Sequence, residues 1–173
     1  SRLSRGLGDV YKRQVVLIDV GKGLLAVLLI PLIPLGLQAL DIEWLAAGTA
    51  VAAISGHIWP LYYGFRGGKG MATTLGSIAA LFPSAILVLL GLAIIVIVLT
   101  GYVGLASILI ALCLWPVFIW LGPQPLPIAY HLAAIFIALL VIYAHRSNIQ
   151  RLIDGNENRF EKVRILHRWL ENR

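Results

Sequence analysis

Six long apolar runs take up most of this chain and limit the folds open to it. A helix that is apolar on every side needs lipid or a large protein core around it. A chain of 173 residues cannot supply such a core for several helices, so lipid is the expected surrounding. The sequence therefore predicts an all-α fold, a polytopic transmembrane helix bundle of about six segments. These segments are residues 15–35, 44–63, 71–82, 83–100, 103–121 and 128–144.

Charged residues are scarce, at 13% of the chain against about 25% in soluble domains. The third segment, residues 71–82, falls well short of the roughly 20 residues that a full span requires. We expect a half-helix there, or a steeply placed helix buried among its neighbours.

The basic residues all fall on one side of the predicted bundle. The net charge is +6, and threading six segments in turn places all 14 Lys and Arg on the same side. Asp41 and Glu43 fall on the opposite side. Because basic loops stay in the cytoplasm, both chain ends are predicted to be cytoplasmic. The charge is thus explained by topology and an anionic substrate, and no nucleic-acid partner is expected.

Three regions follow from these patterns. Residues 1–14 are polar and basic, and we interpret them as a non-native leader. Residues 15–145 form the transmembrane bundle, and residues 146–173 form a cytoplasmic, basic, amphipathic tail. The single cysteine, Cys113, excludes an internal disulfide and a cysteine-based metal site.

A glycine-rich stretch before the third segment is the strongest local signal. Gly67, Gly68 and Gly70 permit backbone shapes that aim successive N–H groups at one point. Arg66 and Lys69 add positive charge, and the start of the next helix adds its positive end. The pattern predicts a phosphate cradle, with a flexible loop of topology-setting charges as the alternative. The spacing is not that of a nucleotide-binding P-loop.

His145 ends the last segment, and Asn148 lies three positions further on, so both side chains share one helix face. Such a pair can orient a hydroxyl group, and histidine is suited to proton transfer near neutral pH. The alternative is an interfacial cap in which Arg146 and Arg151 extend towards the membrane surface.

The first segment contains Asp19 and Lys22, which are spaced to pair on one helix face. Ionisable residues inside a span are costly, which makes them functional candidates. Lys22 is a candidate substrate-binding residue, and a structural pair that anchors the helix end is equally open. Thr73 and Ser107 are weaker substrate-binding candidates, because small hydroxyl residues also mediate helix packing in lipid.

The sequence contains no HExxH, CxxC or Gly-x-Ser-x-Gly motif. We therefore expect no bound metal, no cofactor and no protein nucleophile. A basic, helix-end pocket with a His–Asn pair suits a phosphate-bearing substrate that meets a lipid-soluble one.

Three stretches carry a resemblance to a known family: DVGKG at residues 19–23, GHIWPLYYGFRGGKGMAT at 56–73, and HRSNIQRLIDGNE at 145–157. The sequence resembles the PlsY family of bacterial membrane glycerol-3-phosphate acyltransferases, which use acyl phosphate. The resemblance covers about residues 15–160.

The resemblance implies transfer of a fatty acyl group from acyl phosphate to sn-glycerol 3-phosphate, giving 1-acylglycerol 3-phosphate (lysophosphatidic acid) for phospholipid synthesis. Its implied partners are sn-glycerol 3-phosphate, a fatty acyl phosphate and membrane lipid. It also implies a multi-pass protein of the bacterial plasma membrane with a site that faces the cytoplasm.

The family's motifs imply roles for matching residues. The glycine-rich stretch, residues 67–70, would hold the phosphate of glycerol 3-phosphate. His145 and Asn148 would orient or deprotonate the attacking hydroxyl. Asp19, His57 and Glu157 would be structural, with Glu157 fixing the tail and His57 lacking an assigned chemical role.

Two departures from the family leave alternatives open. Residues 1–14 occupy the place where the family has a span and an SGNxGATN-type motif. Inactivity of the chain as written is therefore an open alternative. Gly101 and Gly104 replace polar residues of a TRYVSLAS-like stretch. A small membrane anion transporter and a non-catalytic fragment remain as competing hypotheses.

Overall fold

The structure, a computed structural model, describes residues 2–33 and 41–160 of the chain. These ranges contain seven α-helices, two short 3-10 turns (Ile30–Leu32 and Leu61–Tyr63) and no strand. The α-helices are α1 (Arg2–Leu29), α2 (Ile42–Ile58), α3 (Met71–Leu81), α4 (Pro83–Thr100), α5 (Val103–Leu121), α6 (Ile128–Ala144) and α7 (Arg146–Ile153). The predicted all-α fold is confirmed.

The helix boundaries follow local stop signals in the sequence. Pro83 occupies the first turn of α4, where a missing N–H costs nothing. Gly101 ends α4 in the left-handed conformation, with φ of 77°, which glycine adopts without a steric penalty. These signals place the ends of α4 at the residues predicted from the apolar run.

Two described helices, α4 and α5, are long and apolar enough to cross a membrane. A third candidate is the pair α6 and α7, if the two are taken as one span with a 58° bend between them. Helix α3 is apolar but has only 11 residues, as expected for the short third segment.

The chain divides into two compact units, and the first is Ser1–Leu81. Helices α1 and α3 approach closely in this unit because glycines face the partner backbone. A Cβ atom on Gly23 would lie 2.2 Å from the main-chain oxygen of Thr73, and one on Gly76 would lie 2.0 Å from that of Val20. Small residues at helix contacts are typical of packing in membranes.

The second unit, Phe82–Arg173, contains α4 to α7. An aromatic cluster holds the start of α4 against its neighbours: Phe82 makes edge-to-face contacts with Phe118 on α5 and Tyr130 on α6, at centroid distances of 4.4 and 5.0 Å. Helices α5 and α6 share a second contact beside this cluster, in which the indole N–H of Trp115 donates to Nδ1 of His131 at 3.0 Å.

Helix α1 runs without a break across residue 14, where the sequence predicts the end of a leader, and that boundary stays a prediction. Parts of the predicted uncharged loop 36–43 and of the amphipathic tail lie outside the described residues.

Candidate active site

The glycine loop, residues 64–70, folds back onto the end of α2. The N–H groups of Gly67 and Gly68 donate to the main-chain oxygens of Ile58 and His57, at 3.1 and 3.2 Å. A Cβ atom on Gly67 would lie 2.0 Å from the His57 oxygen. These two amides are therefore engaged by α2, which differs from the sequence interpretation that they aim at a bound phosphate. Close approach of the α2 backbone is the physical reason for glycine at position 67.

Gly70 starts helix α3. It is buried, has φ of 77° and accepts the first helical hydrogen bond from Thr74 at 2.8 Å. Arg66 and Lys69 are exposed on the preceding loop. Two cationic side chains therefore lie close in sequence to the positive N-terminal end of α3. This arrangement favours the binding of anions.

Two buried hydroxyl groups follow in the first turns of α3. Thr73 and Thr74 are 0% and 1% exposed, and neither Oγ1 atom has a hydrogen-bond partner within the described part of the chain. Buried hydroxyls are usually paired, so these two are unusual.

The predicted pair of Asp19 and Lys22 forms on α1, with Lys22 Nζ 2.7 Å from Asp19 Oδ1. His57, at the end of α2, joins them: its Nδ1 lies 2.5 Å from Lys22 Nζ and 3.4 Å from Asp19 Oδ1. An ammonium group only donates, so Nδ1 accepts and the neutral ring carries its proton on Nε2. The candidate substrate-binding Lys22 is thus held by two neighbours.

In the second unit, His145 lies at the bend between α6 and α7. It is 3% exposed, and its Nδ1 lies 2.8 Å from the main-chain oxygen of Val141. A carbonyl oxygen only accepts, so Nδ1 carries the proton and Nε2 the lone pair in the neutral ring. Its backbone (φ −94°, ψ 10°) lies in a sparsely populated region where many active-site residues are found.

Asn148 belongs to a group of three hydrogen-bonded side chains, in which Asn148 and Glu157 are buried and Arg151 is partly exposed. Its Nδ2 donates to Glu157 Oε1 at 2.7 Å, and Arg151 Nε donates to Glu157 Oε2 at the same distance. A carboxylate only accepts, so the amide nitrogen of Asn148 faces Glu157 and its oxygen is directed away. Sequence reasoning missed Arg151 as a partner of Glu157, although both lie in the third motif stretch.

Gly104, one of the two departures from the family, lies against Asn148. A Cβ atom at this position would lie 2.7 Å from Asn148 Nδ2, so the bare backbone leaves room for the amide. Ser107, a weaker candidate, donates its hydroxyl to Val103 of its own helix at 3.1 Å.

The segment after α7 is fastened to the start of α5. The N–H of Phe160 donates to Gly101 O at 2.8 Å. Arg159 donates to the Tyr102 hydroxyl, and its guanidinium lies 4.8 Å from the centre of that ring. Sequence reasoning did not find this contact, because the two residues are far apart in the chain. No group of His, Cys, Asp or Glu within residues 2–33 and 41–160 is arranged to hold a metal ion.

The first unit thus contains a basic helix start, and the second unit contains a buried, oriented His–Asn pair. Each is a feature suited to an enzyme that acts on a phosphate-bearing substrate. The profile of the family described as glycerol-3-phosphate acyltransferase matches residues 3–155, and the chain belongs to this family.

Individual relatives agree. The glycerol-3-phosphate acyltransferase of Halalkalibacterium halodurans is 45% identical over 160 residues, covering 90% of this chain and 74% of that protein. That of Aquifex aeolicus is 34% identical, covering 92% and 79%. The crystal structure of PlsY, an integral membrane glycerol 3-phosphate acyltransferase in its glycerol 3-phosphate form, has a TM-score of 0.79 at 34% identity and covers 94% of this chain and 78% of that one. The resemblance stated from the motifs is confirmed, and the chain is an integral membrane acyltransferase.

Proposed function

We propose that the protein transfers a fatty acyl group from an acyl phosphate to the 1-hydroxyl of sn-glycerol 3-phosphate. The hydroxyl oxygen bonds to the acyl carbon, and the bond from that carbon to the phosphate oxygen breaks. The products are 1-acylglycerol 3-phosphate and inorganic phosphate. Support comes from the family and from PlsY crystals, whose two forms are described as the glycerol 3-phosphate and lysophosphatidic acid forms.

The observation that carries the proposal is the orientation of His145. Because Nδ1 donates to Val141 O, Nε2 is the nitrogen that can accept the proton of the attacking hydroxyl. Asn148, held by Glu157, orients the same hydroxyl through its amide oxygen. An acyl phosphate is already activated, so positioning and charge neutralisation supply most of the catalysis.

Binding of the glycerol 3-phosphate phosphate is assigned to the first unit. Lys69, Arg66 and the N-terminal end of α3 supply positive charge. Gly67 and Gly68 contribute by shaping the loop, since their own amides bond to α2. Thr73 adds a buried hydroxyl in the first turn of α3.

We further propose that the protein resides in the bacterial plasma membrane with its site facing the cytoplasm. The support is the segregation of the basic residues, including Lys22, Arg66 and Lys69, to one side of the apolar segments. Water-soluble glycerol 3-phosphate is then available at the same face.

A donor comparison tests this function. Protein reconstituted in lipid vesicles receives glycerol 3-phosphate with palmitoyl phosphate or with palmitoyl-CoA, and mass spectrometry follows lysophosphatidic acid. We expect product and equimolar inorganic phosphate with palmitoyl phosphate alone, and a large loss in Lys69→Ala. Product from palmitoyl-CoA at an equal rate would overturn the proposed donor, and no product from either donor would overturn the proposed reaction.

A further inference from the structure

His57 lies within the second motif stretch, and sequence reasoning found no chemical role for it. We infer that His57 is a positioning residue that fastens the glycine loop to the Asp19–Lys22 pair. It thereby determines the positions of Lys69 and the start of α3. The inference rests on the proposed function, in which those groups bind the phosphate of glycerol 3-phosphate.

One edge of the His57 ring is held by α1. Nδ1 accepts from Lys22 Nζ, which Asp19 holds on its other side at 2.7 Å. The side chains of His57 and Asp19 are 14% and 18% exposed, and that of Lys22 is 41% exposed. Hydrogen bonds to charged groups in such partly buried positions are stronger than neutral ones. The ring is therefore fixed relative to α1.

The other edge of the ring faces the glycine loop. A Cβ atom on Gly68 would lie 2.2 Å from His57 Nε2 and 3.1 Å from Cε1. The imidazole thus occupies the space that any side chain at position 68 would need. Because Gly68 is not in the left-handed conformation, this contact, and not backbone strain, is the reason for glycine there.

The main chain at the end of α2 completes the attachment. The carbonyl oxygens of His57 and Ile58 accept from the amides of Gly68 and Gly67. The side chain and the main chain of His57 therefore both contact the loop directly before Lys69 and Gly70. A loop displaced by even about 1 Å carries its cation away from the substrate phosphate.

The inference makes a specific prediction about two neighbouring glycines. In Gly68→Ala, the new methyl group collides with a side chain, and His57→Asn removes the colliding atoms while keeping an acceptor near the position of Nδ1. In Gly67→Ala, the methyl collides with the main-chain oxygen of His57 at 2.0 Å, which no substitution at position 57 removes. Gly67→Ala is therefore the matched control.

The test measures hydrogen exchange of the loop amides, residues 64–70, together with KM and kcat for both substrates. We expect His57→Ala and Gly68→Ala to speed exchange and to raise KM for glycerol 3-phosphate about tenfold. The kcat and the KM for palmitoyl phosphate should change by less than about twofold, because only phosphate positioning is affected. His57→Asn should restore slow exchange and low KM to Gly68→Ala but not to Gly67→Ala.

Equal rescue of both glycine variants, or unchanged exchange in His57→Ala, would overturn the inference. So would a loss confined to kcat. The exchange measurement needs no acyl transfer, so it decides whether His57 holds the loop even if the proposed reaction fails. Failure of the reaction would instead appear as absent product in the unmodified protein.

Discussion

Single contacts fix the two candidate histidines, His57 in the first unit and His145 in the second. The ring orientations of His57 and His145 follow from one contact each, with Lys22 and with Val141. The sequence predicts that Asp19 and Lys22 pair, because their spacing on one helix is sufficient information. It does not predict that His57 joins them, because a contact between α1 and α2 depends on how the helices pack.

The buried threonines of α3 provide a first prediction. Thr73→Val removes a hydroxyl that has no described partner, so the melting temperature should not fall. If that hydroxyl meets the substrate phosphate, KM for glycerol 3-phosphate should rise several-fold, by about 1 kcal/mol of binding. Thr74→Val, a matched change at the next residue, should leave KM unchanged. Equal KM values for both variants and the unmodified protein would exclude Thr73 from the site.

Gly104 carries the second prediction. Gly104→Ala places a methyl group 2.7 Å from Asn148 Nδ2 and displaces the amide. We expect kcat to fall roughly 10- to 100-fold, since a misplaced orienting group costs rate, with KM for glycerol 3-phosphate nearly constant. Gly91→Ala on α4, where no atom lies within 4 Å of the new methyl, is the control. An unchanged kcat in Gly104→Ala would show that Asn148 does not orient the hydroxyl.

At the level of elements, the sequence predicts helices better than loops. Apolar runs, Pro83 and Gly101 mark the ends of α4 directly. The glycine loop is different: its composition shows which backbone shapes are allowed, but not which acceptors its amides find. In the structure, the amides of Gly67 and Gly68 donate to main-chain carbonyl oxygens at the end of α2. Only the fold brings those oxygens within reach of the loop.

The segment after α7 gives the third prediction. Glu157→Gln weakens charge-assisted hydrogen bonds to Asn148 and Arg151 at a site 5% exposed. The expected loss in unfolding free energy is about 1–3 kcal/mol, accompanied by a lower kcat. Asp154→Asn changes an exposed contact with Gln150 and should cost less than about 0.5 kcal/mol. Thermal unfolding in detergent measures both, and equal stability of the two variants would contradict the role of Glu157.

For the whole molecule, the sequence predicts fold class and family because both depend on patterns that span the chain. Hydropathy indicates the all-α bundle, and three motif stretches indicate the acyltransferase family. Side-chain roles depend on atomic contacts, such as Arg151 with Glu157 or Arg159 with Tyr102, that no pattern of residue types contains.

Topology supplies the fourth prediction, which concerns the orientation of the chain. In a Cys113→Ser background, Pro123→Cys lies in an uncharged connection and Asn158→Cys lies after α7; both positions are exposed. A membrane-impermeant maleimide should label position 123 in intact cells and position 158 only after permeabilisation. Labelling of position 158 in intact cells would reverse the proposed orientation.

The central proposal is a division of roles, in which Lys69 contributes to binding the phosphate of glycerol 3-phosphate and His145 to activating its hydroxyl. The most direct measurement is the steady-state rate of lysophosphatidic acid formation from palmitoyl phosphate by the unmodified protein, Lys69→Ala and His145→Asn in the same vesicles. We expect Lys69→Ala mainly to raise KM for glycerol 3-phosphate, and His145→Asn to lower kcat by about 10²- to 10⁴-fold with little change in KM. Lysophosphatidic acid formation by His145→Asn at the unmodified rate, or by Lys69→Ala with unchanged KM, would contradict this division of roles.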